Sequence, residues 1–231
     1  MAGIEKAVTC AHDPLKMSTC DVIFDHWDRI LNNDPKRAAS NNLELFTAIG
    51  IHPRSICADI NRAFDKLPSI LKNDIVVAIG EIGLESASTS EKEIFKMQLE
   101  LAESLKMKVV VHTPRKNKKE ITKITTSMIE ENIDPKMVII DHVDLSIIDD
   151  VIELGSMLGI TVQPQKMTSE EAISLISNYG FEMFTLDSDM SSSPSDPLSV
   201  PKTVHKMRLV GFEENIIEKV SGGNASKFFD I

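Results

Sequence analysis

The tightest constraint on this chain is a spacing. Short apolar runs recur, and each ends in a residue able to bind a metal or a proton. The run at residues 75–79 ends at Gly80 and Glu81, that at 45–51 at His52, and that at 109–111 at His112. The run at 137–140 passes through Asp141 to His142, and the run at 183–186 reaches Asp187 and Asp189. Successive intervals are 81−52 = 29, 112−81 = 31 and 142−112 = 30 residues. Continuous β-branched runs this short read as strands covered on both faces of a parallel sheet. One strand with its crossover helix takes about 30 residues. The polar residues therefore fall at equivalent ends of successive strands. Strands are expected near residues 7, 45, 75, 109, 138, 160 and 183, seven where a closed barrel of this type has eight. The fold class is α/β, a TIM-type barrel with seven of the usual eight strands, in a single domain over residues 1–231.

The C-terminal ends of parallel barrel strands carry the chemistry. A glutamate, several histidines and an aspartate at one mouth form the nitrogen and oxygen ligand set of a divalent cation. His52 by itself reads more readily as a capped or surface residue; the shared phase of five such positions is what argues for a centre. His12 precedes Asp13 and Pro14 and reads as a turn residue, with a place at the mouth as the alternative. His26 is expected on a solvated helix face and His205 at the surface. Gly83 permits an unusual backbone angle in the turn after Glu81, and Glu85 stands behind it. Arg115, Lys116, Lys118 and Lys119 gather where a helix begins, against the sign of the helix dipole. In a chain of net charge −10 that placement suggests an anion-binding rim, the alternative being a solvated face.

Helices are expected over residues 15–31, 56–71 with a break near Pro68, 91–105, 121–131 and 147–158, with a turn-like stretch at 32–42. Thr168 should cap a helix, and Asn224 a final turn. Asp187 and Asp189 would share one side if their strand extends that far. The acidic balance excludes a protein that coats nucleic acid generally. Cys10, Cys20 and Cys57 are scattered without a C-x-x-C pair, so neither a disulfide framework nor a zinc knuckle is expected, and a reducing compartment is. No membrane span is expected, and Glu5 and Lys6 argue against a signal peptide, so the expectation is cytoplasmic. Oligomeric state is left open.

The motifs G-I-H-P at 50–53, G-E-I-G-L-E at 80–85, V-H-T-P-R at 111–115, D-H at 141–142, D-S-D at 187–189 and N-A-S-K-F-F at 224–229 together resemble the TatD-type metal-dependent deoxyribonucleases. The resemblance covers nearly the whole chain. It implies a hydrolase of phosphodiester bonds, acting on DNA, with one or two divalent ions (Mg, Mn or Zn) per chain. Glu81 would bridge the two metals, His112 and His142 would complete one site, and Asp189 would serve the other and orient the attacking water. Asp187 is the alternative to Asp189. His52 would contact substrate or metal-bound water, and Arg115, Lys116 and Lys118 would meet the phosphate. Arg115 stands one place later than the arginine common in the family. The family usually opens with a strand bearing His-x-His, and this chain begins after that point. The resemblance then implies weaker binding at the second metal and an open sheet edge. An amide, ester or lactone hydrolase, and a weakly active or silent barrel, are the competing expectations.

Overall fold

The computed structural model describes residues 3–11, 17–191 and 194–231. His12 lies outside the described residues. Seven strands form one sheet in sequence order: β1 (Lys6–Cys10), β2 (Glu44–Ala48), β3 (Val76–Gly83), β4 (Lys108–His112), β5 (Val138–Ile140), β6 (Met157–Thr161) and β7 (Phe184–Asp187). Every neighbouring pair is parallel. The sheet curls into a half-barrel with β1 and β7 at its two edges. Helices α1 (Cys20–Asp28) and α2 (Asp34–Ala39) follow β1. After β2 comes α3 (Asn61–Ile70), after β3 α4 (Thr89–Leu105), after β4 α5 (Lys118–Asn132), after β5 α6 (Ile148–Val151) and after β6 α7 (Ser169–Tyr179). Three helices close the chain: α8 (Ser199–Leu209), α9 (Glu214–Glu218) and α10 (Asn224–Phe229).

Both faces of the sheet are dry, which is why its strands are apolar without alternation. On β4, Val109 and Val111 pack in the larger core with Phe95 and Leu99 of α4 and Ile121 and Ile129 of α5. Val110 points the other way and joins Ala48, Ala78 and Ile139 on the concave side, where Phe228 and Phe229 of α10 cover them. Asn224 helps to hold α10 in place. It is the first residue of α10 and its side chain does not cap that helix; its Nδ2 donates to the carbonyls of Phe181 and Phe184, both at 2.8 Å.

Several connecting stretches differ from expectation. Residues 32–42 are largely helical, because a π-helical turn, Arg29–Asn33, carries α1 straight into α2, and its wider spacing adjoins Pro35, which has no N–H to donate. Pro68 lies inside α3 without breaking it; it is exposed and only two residues from the end, so water can serve the carbonyl it leaves unpaired. The helix expected over 147–158 is one α-turn and a 3-10 turn, Ile152–Leu154, because Gly155 turns the chain at φ +83° and β6 then claims Met157 and Leu158. His26 is buried on the core face of α1 beside Ile23 and Trp27, not solvated. Trp27 in turn donates from Nε1 to the carbonyl of Gly50 at 3.3 Å. Thr168 does cap α7, in a reciprocal box with Glu171, and His205 is exposed. Among the described residues, no helix is long and apolar enough to cross a membrane.

Candidate metal centre

Glu81 is delivered by β3, whose exit is packed tightly against β4. Gly83 adopts φ +142°, and a Cβ there would lie 2.7 Å from the His112 carbonyl oxygen, so only glycine allows the two strands to run so close. His112 ends β4. His52 follows β2 and is fixed by a buried clamp: Gln98 of α4 accepts from the Ile51 N–H at 2.7 Å and donates to the Ile51 carbonyl at 3.1 Å. The Arg54 N–H donates to His52 Nδ1 at 3.1 Å. His142 stands two residues beyond β5 at φ +60°, a left-handed conformation unfavourable for a non-glycine residue.

These four side chains converge. Glu81 Oε1 is 3.0 Å from His142 Nε2 and 3.4 Å from His112 Nδ1, and Glu81 Oε2 is 3.6 Å from His52 Nε2. The His52 and His112 rings meet edge-on at 4.6 Å between centroids. Glu85 accepts the other side of His112, with Oε2 3.0 Å from Nε2. Two groups of potential ligands share Glu81: His52 with His112, and Asp141 with His142. His52 is fully buried. It is thus placed among the inner donors, where the ligand of a bound ion, or water on it, would meet it.

The acids of β7 divide. The strand ends at Asp187, and Asp189 follows at φ +40°, so the same-side arrangement expected of a longer strand is absent. Asp187 Oδ2 accepts from Thr161 at 3.2 Å, and its carboxyl is pushed well above the usual range by burial and then by the charge of Asp141. Asp189 lies on the cavity wall, where Lys166 Nζ reaches its Oδ2 at 2.5 Å and His142 Nδ1 at 3.0 Å. Asp189 is therefore joined to the centre through Lys166 and is not among the residues grouped directly around Glu81.

A cavity of about 240 Å³ opens above the histidines, walled by Arg54, Arg115, Lys118, Lys166, Glu85 and Asp189. Arg115 reaches Gln163 Oε1 at 3.4 Å, and Lys118 bridges the His142 carbonyl and Asp144. Burial lowers the pKa of Lys118 despite that partner. Lys116 is exposed and does not line the cavity, and Lys119 faces Asp150 at 3.7 Å. Of the basic run, Arg115 and Lys118 thus line the cavity, joined there by Arg54 and Lys166 from elsewhere. The sequence placed Asp141 in the pattern without a role at the site, and Thr161 and Lys166 in neither. The acid beside His142 was the available signal for Asp141, and Thr161 and Lys166 carried none.

The donor set fits a divalent cation. Glu81 Oε1 and His112 Nδ1 are buried and face each other at 3.4 Å without a well-formed hydrogen bond, an arrangement that a cation shared between them would satisfy. Burial alone would push the Glu81 carboxyl up, but His112 and His142 outweigh it and hold it well below the usual range, so the carboxylate is ionised.

Comparison with known proteins gives the same picture. The family model described as TatD related DNase matches residues 2–230. An uncharacterized metal-dependent hydrolase of Methanocaldococcus jannaschii is 40% identical over 231 residues, 99% of this chain and 91% of that protein. The crystal structure of a TatD-like protein from Archaeoglobus fulgidus superposes with a TM-score of 0.83 at 30% identity, covering 100% of this chain and 91% of that one. A TatD homologue from Escherichia coli K12 shares the fold, with a TM-score of 0.71 at 18% identity over 100% of this chain and 88% of that one.

Proposed function

Because the chain belongs to the TatD-related DNase family, we propose that this metal-dependent hydrolase cleaves phosphodiester bonds and that DNA is its substrate. The observation that carries the reading is the pairing of a buried Glu81-centred donor set with a cavity wall that brings Arg54, Arg115, Lys118 and Lys166 together against Glu85, Asp144 and Asp189, in a chain of net charge −10. Arg115 contacts a neutral amide, that of Gln163, and is the basic group best placed to meet a phosphodiester anion, a role that a neutral ester or amide would not require.

Glu81, His112 and His142, with His52 and Asp141 completing the two groups, would hold one or two divalent ions. Such ions, when bound, supply Lewis-acid polarisation of a phosphoryl oxygen and a water acidified toward neutral pH. The remaining steps belong to the chain itself. Arg115 and Lys118 bind the non-bridging oxygens and fix the diester over the histidines. Asp189, on the cavity wall, accepts the proton of the attacking water, and Lys166 orients its carboxylate. Glu85 fixes the ring of His112 from behind.

The test is hydrolysis of single- and double-stranded oligonucleotides by metal-depleted protein resupplied with Mg, Mn or Zn, beside a panel of neutral esters and lactones. Cleavage of the oligonucleotides is expected. Glu81→Gln should lower kcat by at least about a hundredfold, the cost typical of losing a charge-stabilising group. Unchanged turnover by this variant, or turnover confined to the neutral substrates, would overturn the assignment.

A further inference from the structure

Cys20 and Cys57, scattered in the sequence, meet in the fold. Cys20 is the first residue of α1, and Cys57 lies between β2 and α3. Both are buried, and their sulfurs are 3.6 Å apart. Asp59 completes the group: its Oδ1 is 3.3 Å from Cys57 Sγ and accepts from the Cys20 N–H at 3.0 Å, and its carbonyl accepts from Cys20 Sγ at 3.0 Å. None of these residues belongs to the groups around Glu81.

We propose that Cys20, Cys57 and Asp59 form a second cation site, for a borderline-soft divalent ion of the zinc type.

Distance is the first argument. Two zinc–sulfur bonds of about 2.3 Å at the tetrahedral angle set the sulfurs about 3.8 Å apart, and a sulfur and a carboxylate oxygen on the same ion about 3.6 Å apart. The observed 3.6 and 3.3 Å are close to both edges. A disulfide would need the sulfurs at about 2.0 Å. Donor chemistry is the second argument, since two thiolates and a carboxylate select zinc-like ions over magnesium or calcium.

Orientation is the third. Arg62 Nη1 binds Asp59 Oδ2 at 2.8 Å, leaving Oδ1 toward the sulfurs. Binding would release one proton from each thiol and form two metal–sulfur bonds with no change of oxidation state, so affinity should fall as the pH is lowered. The ion would link the start of α1 to the segment after His52.

The experiment uses reduced, metal-depleted protein and Co²⁺ as a spectroscopic stand-in for zinc. Titration to saturation, beyond the one or two ions taken by the Glu81 centre, should produce a thiolate-to-cobalt charge-transfer band equal to one ion per chain, and Zn²⁺ should abolish it by displacement. The band should survive Glu81→Gln, which alters only the other centre, and should be lost in Cys57→Ser. Asp59→Asn should retain both thiols and weaken Co²⁺ binding by about 10- to 100-fold, as changes around a metal site do. Circular dichroism shows whether each variant is folded, and the wild-type titration does not depend on any of them. Saturating Co²⁺ without the band, or a band that persists in folded Cys57→Ser, overturns the proposal. So does mass spectrometry that finds Cys20 and Cys57 joined as a disulfide in protein purified without reductant, which would mark a redox pair.

Discussion

Asp187 is held where an ionised carboxylate is unfavourable, with one oxygen on Thr161 and the other buried without a hydrogen-bond partner. Burial first, and Asp141 second, raise its pKa in the folded chain well above the ordinary 3.8. The native state then binds a proton that the unfolded chain has released, so stability falls as the pH rises from about 4 through the raised folded value. In metal-free protein, Asp187→Asn should therefore raise Tm at neutral pH, and the gain should vanish below about pH 4, where both states are protonated in the wild type. Thermal denaturation across pH in the presence of chelator checks this; a variant no more stable than wild type at pH 7 would contradict it. The same residue shows how far the sequence could be read. The D-S-D triplet announced acids at a strand end, but their division depended on where β7 stops. Asp141 has space because Gly159 on β6 carries no side chain, as a Cβ there would collide with its Oδ1. Nothing in the sequence pairs a glycine with an aspartate eighteen positions away (159−141 = 18). Lys166 was silent for the same reason, being one lysine in a loop until the fold set it between His142 and Asp189.

Among elements, α4 does more than cover the sheet. Its Gln98 is fully buried and satisfies both backbone groups of Ile51. Gln98→Ala would leave a buried N–H and a buried C=O unpaired, at roughly 1–3 kcal/mol for each group. Chemical denaturation should show a loss of roughly 2–6 kcal/mol, reduced to the extent that water enters the space. Because Ile51 precedes His52, the same change should weaken divalent-ion affinity by about 10- to 100-fold, as loss of an outer support does. A destabilised variant with unaltered metal affinity would show that His52 is placed without this clamp. Elements were legible where a single physical cause dominates. All seven strands stood out because burial on both faces demands unbroken apolar runs. The helix joins did not, because they depend on local backbone choices. The π-helical turn between α1 and α2 lies in polar sequence that reads as a turn, and β6 shortens the preceding helix by taking Met157 into the sheet.

At the scale of the molecule, the half-barrel has a mouth that does chemistry and a floor that holds the strands together, and the two should be separable. Phe228 lies under Lys108, the first residue of β4, with the ammonium 4.9 Å from the ring. His112 is the last residue of that strand, and four residues of strand span about 13 Å. Phe228 and Phe229 are stacked edge to face at 5.0 Å and cover the small side chains of Ala48 and Ala78, which by themselves offer little surface for closing the concave side. Phe229→Ala should therefore cost about 3–5 kcal/mol through lost burial and the cavity left behind. It should also increase binding of a hydrophobic dye as the concave face is uncovered. Because no step of the proposed hydrolysis passes through the floor, kcat and KM measured well below the lowered Tm should match wild type, and so should metal content. Equal losses of stability and of kcat in the folded variant would mean that the floor sets the positions of the strand ends, and that mouth and floor form one mechanical unit.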